Sequence, residues 1–302
     1  MSNRSTVTEF LLLGFSDTQE LQIFHFMVFL VIYLSAVVGN FFIIVVIAVS
    51  NHLHSPMYFF LLNLSILDLS TVSVILPKSM ANFLLNTTVI SYSGCAAQVF
   101  FFHVFGAADL ALLTVMAYDR YIAICKPLYY KTIMKSTTCI QMVASAWLSC
   151  VPYSALHTGN IFHLSFCKSN IIDHFFCEVP QLLKLSCSDS YFSEVAVLAL
   201  SSILVFICFV FICVSYIQIF IVVLRIPVKE KQLKAFSTCI PHLIVVFLFV
   251  STGSFAYLKP ASNSSSSLDL TASVLYSVVP PVINPVIYTM RNNEIKTAMR
   301  KL

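Results

Sequence analysis

The chain has 302 residues, of which 59% are hydrophobic and only 10% charged; a soluble domain of this size carries about 25% charged residues. That excludes a water-soluble fold, and apolar runs that are continuous rather than alternating exclude a transmembrane barrel. The net charge of +4 does not point to a nucleic-acid partner; the placement of the charges carries the information.

Residues 1–20 are polar apart from a short apolar patch, Phe10–Phe15, and show no secretory leader pattern. The first span is therefore expected to act as its own insertion signal. A spanning helix needs about 20 mostly apolar residues. Seven segments qualify: 22–49, 57–78, 94–125, 139–158, 194–224, 234–258 and 268–290. The fourth is the weakest, being short and interrupted by Pro152. No polar stretch is long enough to hold a core of its own, so 1–302 reads as one domain. The expected fold is all-α: a seven-transmembrane helix bundle.

Lys and Arg set the orientation. With the N-terminus outside, segments 50–56, 120–138, 225–234 and 291–302 face the cytoplasm and carry 12 of the 17 basic residues. Topology alone accounts for these charges. The last segment, 291–302, places Ile295, Ala298, Met299 and Leu302 on one face beside Lys296, Arg300 and Lys301, the pattern of a short amphipathic helix on the inner membrane surface. On the outer side, Asn3 and Asn86 open glycan acceptor triplets, and Asn263 opens one very close to a membrane end. Cys95, Cys167, Cys177 and Cys187 also map outside, and four cysteines allow three pairings. The other six thiols read as buried and free.

Several acids sit where acids are expensive. Asp68 and Asp109 lie deep in the second and third spans, with no Lys or Arg at that depth. They are either neutral acids in a hydrogen-bonded cluster or carboxylates holding a cation such as sodium, or water. Asp119 and Arg120 stand side by side where the third span leaves the hydrocarbon, so they are expected to pair. Such a pair is either a static interfacial contact or a releasable lock.

In chain order, six strings accumulate: Gly39-Asn40, LHSPMYFFL at 53–61, LSILD at 64–68, MAYDRYIAICKPLYY at 116–130, KAFSTCIPHL at 234–243 and PPVINPVIYTMRNNEIK at 280–296. Together they resemble the vertebrate olfactory receptors, a branch of the rhodopsin-like G-protein-coupled receptors. The resemblance covers nearly the whole chain. The chain departs from that pattern at Phe249-Val250-Ser251, where the family often has Phe-Tyr-Gly, and at Pro241, where it usually has Ser.

The resemblance implies disulfides Cys95–Cys177 and Cys167–Cys187, with Asn40 and Asn284 near Asp68. It implies that Asp119, Arg120 and Tyr121 form a switch. Tyr216 and Tyr288 would receive Arg120 in the active state, with span six near Lys234 or His242 as the resting alternative. A ligand site is expected between spans three, five, six and seven, under the outer loop. Span three would offer Phe102, His103, Gly106, Ala107 and Leu110, and span five Ser201 and Leu204. Spans six and seven would add Val250, Gly253, Ser254, Tyr257 and Val274. The polar anchors would be His103, Ser201, Ser254 and Tyr257. With no charge in mid-pocket, an uncharged volatile bearing one acceptor group is the expected ligand.

The resemblance also implies an olfactory-type stimulatory G protein, cyclic AMP as messenger, and the plasma membrane of sensory cilia as location. No cofactor is expected beyond a sodium ion. A transporter would show internal repeats, and a membrane enzyme would show ligand pairs or a nucleophile elbow. Neither pattern is present in the sequence.

Overall fold

The computed structural model describes residues 7–13, 18–85, 87–166, 169–186, 191–258, 266–291 and 293–299. Cys167, Cys187, Asn3, Asn86 and Asn263 lie outside them, as do the side chains of Tyr257 and Lys234.

A short strand, β1 (Glu9–Leu12), precedes α1 (Gln19–Val49) and α2 (Pro56–Leu85). Strand β2 (Val89–Ser91) leads into the long α3 (Tyr92–Cys125), whose first turn is capped by the Ser91 hydroxyl accepting from the Gly94 amide. The inner connection contains α4 (Tyr130–Ile133), followed by α5 (Ser136–His163). The outer loop carries β3 (Ile171–Ile172) and α6 (Val179–Leu185). Then come α7 (Tyr191–Leu224), α8 (Lys229–Leu258), α9 (Ser266–Ser277), α10 (Val279–Arg291) and α11 (Asn293–Met299).

Among the described residues seven spans are long and apolar enough to cross a membrane, the last formed jointly by α9 and α10. The fourth is the least apolar of the seven, as expected, but it is longer than expected. It absorbs Pro152 and runs from Ser136 to His163, beyond the expected 139–158. Where Pro280 and Pro281 withdraw two amide donors, the seventh span breaks between α9 and α10. Burial is inverted relative to a soluble protein. Phe206, Phe247 and Phe41 are 60% exposed or more, while Asp68, Asn40 and Asn284 are buried. Lipid is the solvent for the first group and the bundle interior for the second.

Gly39 and Asn40 answer to one residue across the bundle. Pro285 in α10 has no amide to give the Pro281 carbonyl, so Asn40 donates to that oxygen at 2.8 Å and to its own helix at Ala36. The ring of Pro285 comes so near α1 that a Cβ on residue 39 would sit 3.0 Å from it. Only glycine leaves that space.

The outer mouth is covered. The patch at residues 10–15 begins as a strand, with Phe10 and Leu12 pointing inward and fully buried. This β1 is the centre of a three-stranded sheet, antiparallel to β2 and parallel to β3. The Cys95–Cys177 disulfide ties the outer loop to α3. Gln98 accepts from the Cys177 amide and donates to the Val74 carbonyl, while Ser79 donates to the Phe175 carbonyl. The loop is thus fastened to α2 and α3 at once. At the inner end, α11 buries Ile295 and Ala298 against the bundle, as its amphipathic pattern requires. Tyr58 at the start of α2 donates to the Glu294 carboxylate at 2.7 Å.

Candidate functional site

Three polar clusters lie along α3. The innermost is built on Asp119, which is buried, and Arg120, which is not. Arg120 Nη2 meets Asp119 Oδ2 at 2.8 Å. The other carboxylate oxygen, Oδ1, accepts from the Tyr130 hydroxyl at 2.9 Å. Burial, and then the adjoining Asp119 charge, push the Tyr130 phenol above its ordinary value, so it remains a donor. Tyr121 stands apart from the pair, its ring under the Lys126 ammonium at 5.5 Å. Deeper in, the Tyr216 hydroxyl is 2.9 Å from His242 Nδ1 with the rings stacked. The buried Tyr288 hydroxyl has no hydrogen-bond partner among the described residues. Tyr216 and Tyr288 are therefore near α3 without being bonded to Arg120.

The middle cluster joins α2 and α10. Asn284 donates from Nδ2 to both Asp68 oxygens, at 3.0 and 3.3 Å. The Asn40 amide is not part of this contact, being committed to the Ala36 and Pro281 carbonyls. Three buried oxygens have no partner among the described residues: Asp109 Oδ1, Asn284 Oδ1 and Asn40 Oδ1. All three are acceptors, which is what a hard cation or a water would satisfy.

The outer cluster lies beneath the loop. His103 Nδ1 is 2.9 Å from the Val99 carbonyl of its own helix, and its ring stacks on His157 of α5 with centroids 5.4 Å apart. His157 Nε2 bonds Ser201 of α7 at 2.5 Å, and Tyr153 packs on the same imidazole at 4.7 Å. One turn inward of His103, a Cβ built on Gly106 would meet nothing within 4 Å, and the same holds for Gly253 on α8. These two glycines face open room.

The expected lining residues divide. His103 and Ser201 are brought together. Phe102 sits edge-on to His103 at 6.1 Å and packs on Phe176 of the loop and Tyr276 of α9 at 5.5 and 5.9 Å. Val274 joins that outer aromatic group, whereas Val250 packs into the inner core. Leu110 is buried within α3, and Ala107 and Ser254 are half-buried. Leu204 is misplaced: it is 44% exposed, to one side of the packed face that Ser201, Ile212 and Tyr216 define on α7.

Sequence reasoning missed Tyr130, and it missed the fourth span's share of the outer cluster. The signal was Tyr153 and His157, four apart and so on one face of the fourth helix. A buried carboxylate also lies under the outer loop, beside α9. The loop brings in Glu178, whose carboxylate accepts from Ser273 of α9 at 2.8 Å and lies 3.5 Å from His174 Nε2, all three buried. A hydroxyl donor and a neighbouring imidazole are what this buried carboxylate meets.

Seven spans, a broken seventh helix and a disulfide-tied outer loop define a membrane bundle of the rhodopsin fold. Squid rhodopsin superposes with a TM-score of 0.74 over 95% of this chain and 87% of its own, at 16% identity. The olfactory receptor family model matches residues 29–302. Human olfactory receptor 14I1 is 53% identical over 302 residues, covering all of this chain and 97% of that protein. Human olfactory receptor 14A16 is 48% identical over the same span. The chain belongs to the olfactory receptor family: it is a multi-pass membrane receptor and not an enzyme.

Proposed function

We propose that this odorant receptor binds a small, uncharged, mostly apolar volatile in the room beside His103, Gly106 and Gly253. It then activates an olfactory-type stimulatory G protein and raises cyclic AMP. The observation that carries the reading is the inner cluster. Arg120 is held by Asp119, Asp119 by Tyr130, and Tyr216 by His242. That is a coherent resting arrangement in which the arginine is unavailable to a partner. Activation exchanges these bonds: α8 carries His242 away, Tyr216 and Tyr288 turn to Arg120, and the inner face opens. A ligand drives the exchange only through higher affinity for the open state.

The open acceptor oxygens of Asp109 and Asn284, with the Asp68 carboxylate, suit a sodium ion in the closed bundle. The ion would supply positive charge between two acids that have no basic partner. The glycan at Asn3, the second disulfide Cys167–Cys187 and the ciliary membrane belong to the same proposal, on family likeness.

The test is cyclic AMP accumulation in cells carrying the olfactory G protein, with an N-terminal tag to equalise surface display. A panel of uncharged volatiles is applied to the chain and to Arg120→Ala. A response lost in the variant supports the scheme. One that survives removes Arg120 from the switch, and silence across the panel at full display counts against the receptor reading itself.

A further inference from the structure

The outer cluster contains more chemistry than a generic apolar pocket needs. Ser201 has one proton, and it goes to the Val197 carbonyl at 2.7 Å, a bond within its own helix. Its oxygen can therefore only accept from His157 Nε2. That assigns the proton of the imidazole to Nε2. Among the described residues neither ion pair involves His157, and no acid stands against it. The ring is buried and stacked between His103 and Tyr153, so it is neutral. A neutral imidazole with Nε2 protonated keeps its lone pair on Nδ1. No hydrogen bond to that nitrogen is present among the described residues. His103 obeys the same logic: its Nδ1 faces a carbonyl, which can only accept, so that nitrogen carries the proton.

We propose that His157 determines specificity by presenting a fixed acceptor, so that the receptor takes ligands bearing a hydroxyl donor, alcohols and phenols, over ethers and ketones of the same size. The inference rests on the pocket assignment above and sharpens it. The sequence led to a ligand with an acceptor group, and the geometry points to a donor. Three bonds fix the direction: Val197 carbonyl takes the Ser201 proton, Ser201 oxygen takes the His157 proton, and His157 Nδ1 takes the ligand proton. An ether in the same position leaves Nδ1 facing a second acceptor, stripped of water. Discrimination of about tenfold is what one such unmet bond produces. The room at Gly106 lies one turn inward, where the apolar body of the ligand would lodge.

The experiment uses isomeric pairs: n-octanol against heptyl methyl ether, and para-ethylphenol against para-methylanisole. Two readouts are taken, cyclic AMP dose–response at equal surface display and melting temperature of the purified receptor with each probe. The expected result is about a tenfold lower half-maximal concentration for the hydroxyl member of a pair, with a larger thermal shift. His157→Phe, which keeps the stack, removes the gap. Ser201→Ala narrows it by releasing the ring to present either nitrogen. Equal thermal shifts within both pairs, or a gap that persists in His157→Phe, overturn the proposal. A hydroxyl-selective thermal shift without any cyclic AMP response sinks the coupling scheme and leaves the specificity intact.

Discussion

Asn40 and Tyr130 each make a hydrogen bond that a neighbour makes necessary. Pro285 leaves the Pro281 carbonyl without a helical donor, and Asn40 supplies one. Asn40→Ala should lower the stability of the purified receptor by about 1–3 kcal/mol, the range for an orphaned buried group, read as a fall in melting temperature. Asn40→Asp should do no better, because it brings an acceptor to an acceptor. Tyr130 holds the outer oxygen of Asp119 and so keeps that acid aligned on Arg120. Tyr130→Phe should raise ligand-free cyclic AMP by a few-fold at equal display, since one net hydrogen bond is worth about 1 kcal/mol. Asp119→Asn should raise it further. Unchanged basal signal in both variants would mean that the Asp119–Arg120 pair is a static contact. The motif around Asp119 was plain in the sequence, but Tyr130 was not. Which of the two tyrosines in the following loop reaches back depends on the turn at Pro127–Tyr129, and turn geometry has no signature in composition.

At the scale of elements, apolar length made all seven spans legible to within a few residues at most ends. The exceptions have physical causes. Helix α2 continues well past residue 78 because Lys78 can extend toward the interface instead of ending the span. The fourth span looked weak because Pro152 and its hydroxyl neighbours lower its apolarity, yet a single proline is tolerated when neighbours pack on both sides. The outer cap was hardly legible. Its strands are two to four residues long, and pairing between segments far apart in sequence leaves no local pattern. Only the short apolar patch at Phe10–Phe15 hinted at it. Phe10→Asp should therefore detach β1 and reduce surface display several-fold, measured by flow cytometry. Cys95→Ser should do the same more severely, because it frees the whole outer loop.

For the whole molecule, the inner and middle clusters are linked through α10, which presents Asn284 to Asp68 and, one turn on, Tyr288 toward the inner cluster. A cation between Asp68 and Asp109 would thus favour the closed bundle. Replacing sodium by choline should lower the half-maximal agonist concentration in membranes by a few-fold, and Asp109→Asn should abolish that sensitivity. Sodium independence in the unaltered chain would leave a neutral hydrogen-bonded cluster. The two acids were visible in the sequence, whereas the diversion of Asn40 to a proline's carbonyl required knowing which helices touch. The outer sheet has a further consequence, for biogenesis. Its central strand is among the first segments made, but its partners lie roughly 80 and 160 residues downstream, at Ile90 and Ile171. Until the fourth span and the loop after it have emerged, Phe10 and Leu12 have nowhere to be buried. The cap is a late-closing seal, and an unsealed chain exposes greasy outer residues that lumenal chaperones can read as unfinished.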